Sequence, residues 1–212
     1  MNCPLCDERK PRRFCPARGE NICSICCGTE REVTIDCPSD CIHLIASRRH
    51  EEQKPLQKPD NLPFDDVSIS KSFLRTHGDL ILALSYAVCA YARDHRELTD
   101  RDALQALESL AASYQTLAKG ILYEKPPMVP LQRGLYDALK EGIQAFRKEQ
   151  ERKGSLVGSH DAEVRDGLIV LTQAGAARHN GRPRSRAYLD LLRSQFDADE
   201  FTPTAVRMIT LP

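Results

Sequence analysis

Residues 3–41 read CPLCDERKPRRFCPARGENICSICCGTEREVTIDCPSDC, and eight of the nine cysteines of the chain stand in this stretch: Cys3, Cys6, Cys15, Cys23, Cys26, Cys27, Cys37 and Cys41. Two CxxC pairs, a CC dipeptide and a CxxxC pair are spacings at which tight turns present several sulfurs to one ion. Pro4, Pro16, Gly19, Gly28 and Pro38 supply turn chemistry beside them. The stretch from Met1 to Arg13 is polar and charged and contains no apolar signal core, so a secreted disulfide framework is not the expected use of these cysteines. A reducing, cytoplasmic setting is expected, and there clustered thiols bind metal more often than they pair.

Eight thiolates suffice for two closed tetrahedral zinc centres. Adjacent side chains diverge, so Cys26 and Cys27 are better placed to serve different ions, which favours an interleaved arrangement over a sequential one. The expected sets are Cys3, Cys6, Cys23 and Cys26 for one zinc and Cys15, Cys27, Cys37 and Cys41 for the other. Arg12 to Phe14 and Glu32 to Ile35 are expected to form short strands. Ser39 is expected to cap a helix with Cys41 in its first turn, where the helix dipole favours thiolate charge, running to about Glu52. His43, two residues beyond Cys41, should face away from the metal. An iron–sulfur cluster is the competing occupant, but neither ferredoxin spacing is present. Residues 1–50 carry eight basic and seven acidic side chains. Two four-thiolate zinc centres would bring this module to about −3, and Arg9, Lys10, Arg12, Arg13 and Arg18 would offset that charge.

Outward from the cysteines the composition changes. The chain has 212 residues with 30 basic and 30 acidic side chains, so no net charge drives it toward nucleic acid as a whole. Aromatic residues are 6% with no Trp, which favours helices over a β-sandwich. The expected architecture is therefore mostly α: a two-zinc cysteine-rich module over 1–52, a linker over 53–67 with Pro55, Pro59 and Pro63, and a helical domain over 68–212. The longest apolar run, Leu80 to Ala92 interrupted only by Ser85, has 13 residues, short of the ~20 a membrane span needs.

Within the helical part, Ser70 to Arg93 reads as a first helix, apolar on nearly every side in its second half. Thr99 and Asp102 form a capping-box pattern ahead of a second helix with the stripe Ala103, Leu107, Leu110, Tyr114 and Leu117, ended by Pro126, Pro127 and Pro130. A third carries Leu131, Leu135, Leu139, Ile143 and Phe146. Gly134, Ala138, Gly142 and Ala145 lie beside that stripe and leave a groove for a close helix neighbour. Residues 162–174 read as a fourth helix stopped by Gly175, although Leu168 to Leu171 alone would pass for a buried strand. After a turn at Asn180-Gly181-Arg182-Pro183, Ser185 to Phe196 is a fifth, and Val206 to Leu211 a short terminal strand.

The motifs CPLC, RRFCPARG, ICSICCG and CPSDC resemble small cross-brace and treble-clef zinc fingers of the HIT, MYND and B-box types, over about a fifth of the chain. Those families carry histidine at some positions where this chain has cysteine. The run from CPSDC into an all-helical domain resembles bacterial zinc-finger proteins to which no activity is attached. The finger resemblance implies a protein-binding or assembly module rather than a catalyst.

Catalytic chemistry is not indicated elsewhere. A four-thiolate centre leaves no coordination position for water, and no HExxH, GxSxG, GxxxxGK[ST] or GxGxxG pattern occurs. His77 with Asp79, and His160 with Asp161, read as loop or cap residues, and Cys89 as a small buried side chain. The basic loop of Arg178, His179, Arg182, Arg184 and Arg186 lies in a stretch with no acid between Gly167 and Asp190. It is the candidate anion or nucleic-acid contact, without an interleaved aromatic for base stacking. The expected function is thus a non-enzymatic, intracellular zinc protein with a protein partner. Nucleic-acid binding through loop 178–186 is one alternative and a zinc–thiolate redox switch another. The proline-containing linker leads us to expect a cysteine module that docks weakly on the helices or moves separately.

Overall fold

Arg13–Cys15 (β1) and Glu20–Ile22 (β2) form an antiparallel hairpin in which Arg13 pairs with Ile22 and Cys15 with Glu20. Gly19, at φ +67°, turns the chain between them, and the Arg18 and Gly19 N–H groups close on the Cys15 carbonyl at 3.1 and 2.9 Å. The computed structural model describes residues 2–53, 61–154 and 159–197. Two helices complete the cysteine region, Ser24–Glu30 (α1) and Ile42–Glu52 (α2). Then come Lys71–Thr76 (α3), Gly78–Asp94 (α4), Asp100–Leu117 (α5), Pro130–Arg152 (α6), Asp161–Arg178 (α7) and Ala187–Arg193 (α8). The architecture is mostly α, with a small N-terminal strand region, and none of the described helices is long and apolar enough to cross a membrane.

Differences from the sequence expectations have local causes. The second strand is Glu20–Ile22 and not Glu32 to Ile35; the latter segment is a turn with one isolated bridge, Arg31 to Ile35. The Ser70 to Arg93 helix is two helices. Ser70 caps the first through the Phe73 N–H at 3.1 Å, and the chain breaks at His77, just before Gly78. α5 stops well before the prolines because Gly120, at φ +77°, reverses the chain and Ile121 N–H returns to the Thr116 carbonyl at 3.0 Å. Pro130 opens α6 instead of ending α5, at a helical position where its missing N–H costs nothing. Val206 to Leu211 lies outside the described residues.

α5 and α6 keep their expected stripes. The capping box closes from both sides: Asp102 N–H to Thr99 Oγ1 at 3.4 Å and Thr99 N–H to Asp102 Oδ2 at 3.2 Å. Leu107 and Leu110 of α5, Leu139 and Ile143 of α6, and Leu168 of α7 meet in one buried core with Leu84 and Val88 of α4. The small-residue groove on α6 receives α4 as expected. A Cβ at Gly142 would lie 3.1 Å from that of Ala87, and one at Gly134 would strike the Tyr91 hydroxyl, which donates to the Leu131 carbonyl. Gly175 is not a stop signal; α7 runs through it because Leu104 and Tyr188 pack where its side chain would be, within 2.6 and 2.9 Å. Of the segment 53–67, the end nearest the helices is anchored: Phe64 and Val67 pack on the helical core, and Gln173 donates to the Pro63 and Phe64 carbonyls.

Candidate metal centre

The first CxxC pair sits in a tight loop. Cys3 N–H reaches the Arg9 carbonyl at 2.7 Å, and Asp7 N–H, from a residue at φ +54°, returns to the Cys3 carbonyl at 2.8 Å. That loop aims the N–H groups of Leu5 and Cys6 at the Cys3 sulfur and those of Glu8 and Arg9 at the Cys6 sulfur. The second pair opens α1. Cys23 is its N-cap, with its sulfur accepting the Cys26 N–H at 3.3 Å, while Cys23 N–H points at the Cys3 sulfur at 3.2 Å.

The result is a tetrad. The Sγ atoms of Cys3, Cys6, Cys23 and Cys26 all lie within 4.8 Å of one another, with Cys6 and Cys23 4.0 Å apart. Zn–S bonds of about 2.3 Å in a tetrahedron would place the sulfurs about 3.8 Å apart, so the tetrad fits that ion with little contraction. All four cysteines are free thiols. Burial opposes ionisation of Cys3, but the N–H groups of Cys23, Leu5 and Cys6 outweigh it and bring the thiol down to about 6. Cys26 goes the other way, pushed up to about 12 by sharing its proton with the Cys23 sulfur and by burial. Four crowded sulfurs cannot all ionise without a cation, and a divalent ion would displace the remaining protons.

Cys15, Cys27, Cys37 and Cys41 line a second, small and largely enclosed cavity next to Ile22 and Ile35. Their sulfurs are not drawn together as the first four are; among the described residues the tetrad is the one group of three or more ligand-type side chains that converges this tightly. Burial pushes the Cys37 thiol up, with Cys41, Glu32 and Cys15 adding to it, while the Glu32 N–H works against the rise. The helix α1 separates Cys26 from Cys27: consecutive helical positions point about 100° apart, sending one sulfur to the tetrad and the other to the cavity. His43 does not face away. Cys41 is the N-cap of α2, in extended backbone, so the half-turn separation expected within a helix does not apply, and His43 lines the same cavity. Burial and the neighbouring Arg13 and Arg31 lower its pKa. Nor does Ser39 cap α2; its hydroxyl donates to Asp190 Oδ1 at 2.9 Å.

Arginines approach the sulfurs unevenly. Arg9 lies beside Cys6, and Arg31 Nη2 is 3.9 Å from Cys27 Sγ, whereas Arg18 turns to Glu20 at 2.6 Å. The basic loop meets the cysteine region. Arg182 Nη1 donates to the Gly28 carbonyl at 3.1 Å and to the Arg31 carbonyl; Arg184 N–H donates to the Glu32 carbonyl at 2.9 Å; Arg186 lies 3.4 Å from Asp36. Arg178 is the last residue of α7, and the Arg184 side chain is exposed. The module is thus seated on the helices rather than apart from them.

The residues that sequence reasoning missed are at this seam. Glu32 is 2% exposed, has φ +54°, and accepts from Arg48 Nη2 and Asn180 Nδ2, both at 2.9 Å. Arg48 also grips Asp190. Nothing local in EREVT or SRRH marks these as partners. His160, by contrast, takes the expected cap role, its N–H donating to Glu163 at 3.0 Å, and Cys89 is buried in the helical core, its thiol pushed up to about 12 mainly by burial. Comparison with protein-family models, curated proteins and solved structures gives no significant match.

Proposed function

We propose that this chain is a non-enzymatic intracellular zinc protein in which two zinc ions staple the N-terminal module and the assembly serves as a protein-interaction factor. The observation that carries the reading is the Cys3, Cys6, Cys23 and Cys26 tetrad, with main-chain N–H groups already aimed at its sulfurs. The second ion is assigned to Cys15, Cys27, Cys37 and Cys41, which share one cavity. A module of this size buries too little apolar surface to fold unaided, so metal binding supplies much of its folding energy. Closed four-thiolate centres leave no site for substrate, which makes the metal structural. The apolar side chains Phe14 (58% exposed), Ile25 (51%) and Ile42 (72%) remain at the module surface and are the partner-facing groups. Ile22, by contrast, is wholly buried beneath the cysteines.

Elemental analysis of the full chain, purified under reducing conditions, should give about two zinc per molecule. Chelation should then collapse the N-terminal module while leaving most of the helical circular dichroism. Iron in place of zinc, or no tightly bound metal, refutes the reading.

A further inference from the structure

The two sets of thiolates are held in different ways. Cys3, Cys6, Cys23 and Cys26 hang from turns whose hydrogen bonds close within the module: Cys3 to Arg9, Asp7 to Cys3, Cys23 to the Cys3 sulfur. In the second set a single connecting segment joins Cys27 to Cys37. Nine residues, Gly28 to Asp36, separate Cys27 from Cys37. Within them the N–H groups of Val33, Thr34 and Ile35 all return to the Glu30 carbonyl, and Glu32 sits in left-handed backbone, uncommon for a residue other than glycine.

What fixes this connecting segment comes from the helical domain. Arg182 takes the Gly28 and Arg31 carbonyls. Asn180 takes the Glu32 carboxylate, Arg184 N–H takes the Glu32 carbonyl, and Arg186 faces Asp36. The same Glu32 presents its own N–H to the Cys37 sulfur, so the clamp is one residue away from a thiolate. The segment that carries Cys41 is held likewise, Ser39 and Arg48 both binding Asp190 of α8. Asn180 itself is fixed by an Asx turn, its Oδ1 accepting the Arg182 N–H at 3.0 Å, with Gly181 at φ +75°.

We infer that loop 180–186 is a positioning element for the second centre: by clamping residues 28–36 it brings Cys27 and Cys37 toward Cys15 and Cys41, whereas the first centre is self-contained. This rests on the two-centre reading above. Asn180 and Arg182 are then outer-shell residues acting through the backbone, and metal occupancy of the second centre is linked to seating of the module on the helices. By the reciprocity of linkage, metal in the second centre tightens that seating while metal in the first does not.

The test uses the full chain loaded with zinc, comparing wild type, Asn180→Ala, the double variant Asn180→Ala/Arg182→Ala, and Arg182→Lys. Chelator competition measures retention, and iodoacetamide labelling resolved by peptide mass spectrometry reports which cysteines stay protected. Loss of such outer-shell partners weakens metal binding about 10- to 100-fold. The double variant should lose the second ion that much more readily, with Cys15, Cys27, Cys37 and Cys41 becoming labelled while Cys3, Cys6, Cys23 and Cys26 stay protected. Asn180→Ala should show the same order more weakly, and Arg182→Lys should keep the protection of the wild type, because an ammonium still donates to the two carbonyls. Equal protection of all eight cysteines in the double variant overturns the inference, as does equal loss from both sets with the helical signal intact. A wild-type chain that holds one zinc, with the second set freely labelled, overturns the two-centre reading itself.

Discussion

Asp100 is wholly buried and accepts from the Ser185 hydroxyl at 2.7 Å and from the Tyr188 and Leu189 N–H groups at 3.2 and 3.1 Å. It does for α8 what an N-cap carboxylate does for its own helix, but from the start of α5. Asp100→Ala would leave a hydroxyl and two N–H groups without their acceptor beneath Tyr188 and Leu189. Each orphaned buried group costs roughly 1–3 kcal/mol, and since α8 relaxes in part we expect about 3–5 kcal/mol in all, a large share of the 5–15 kcal/mol typical of a domain. Urea unfolding of the zinc-loaded chain, followed by far-ultraviolet circular dichroism, measures it; Asp100→Asn, which keeps one acceptor oxygen, should cost about half as much. Burial would raise this carboxyl's pKa, but His179, 4.0 Å away, with Ser185 and the two N–H groups, holds it below the usual carboxylate value. A depressed folded pKa means that the contribution is complete at neutral pH and is lost as the pH falls below about 4 through the folded pKa. Asp100→Asn should therefore flatten the acid limb of the stability curve. A loss under about 1 kcal/mol for Asp100→Ala, or an unchanged acid limb in Asp100→Asn, would refute this account.

Gly134→Ala should destabilise by about 1–3 kcal/mol despite alanine's better helix propensity, because its methyl collides with the Tyr91 hydroxyl. In a Tyr91→Phe background most of that cost should vanish, and a double-mutant cycle without coupling would place the clash elsewhere. Cys89, buried and with its thiol pushed up to about 12, should react with a thiol reagent only on unfolding, so labelling in the native chain at the rate of an exposed cysteine would contradict its place in the core.

The legible parts of this molecule are those whose physics is local. CxxC turns, the Thr99–Asp102 capping box and the α6 small-residue groove each depend on residues three or four apart, and each is found. Adjacent side chains diverge in a strand and in a helix alike, so Cys26 and Cys27 part on α1 as their adjacency alone implies. Helix ends were harder. The prolines at 126, 127 and 130 are the stronger stop signal in sequence, yet the left-handed turn at Gly120 ends α5 first. The seam could not be read at all, since Glu32 and Asn180 stand 148 positions apart and each looks like an ordinary surface residue until the fold buries them together.

That seam changes what the arginine-rich loop is for. In sequence its positive charge invites a phosphate; in the fold Arg182 reaches the Gly28 and Arg31 carbonyls at the C-terminal end of α1, where the helix dipole is negative. Arg184 N–H and Asn180 meet Glu32, and Arg186 meets Asp36. Two zinc–tetrathiolate centres would add further negative charge to the same module, so a loop without acids is what such a module needs beside it. The loop's charge is complementary to the molecule's own N-terminal region before any external ligand is considered. Phosphate binding through Arg182 or Arg186 would displace contacts that seat the module. Nucleic acid would then compete with docking, whereas a protein partner at Phe14, Ile25 and Ile42 would leave the contacts of Arg182 and Arg186 in place.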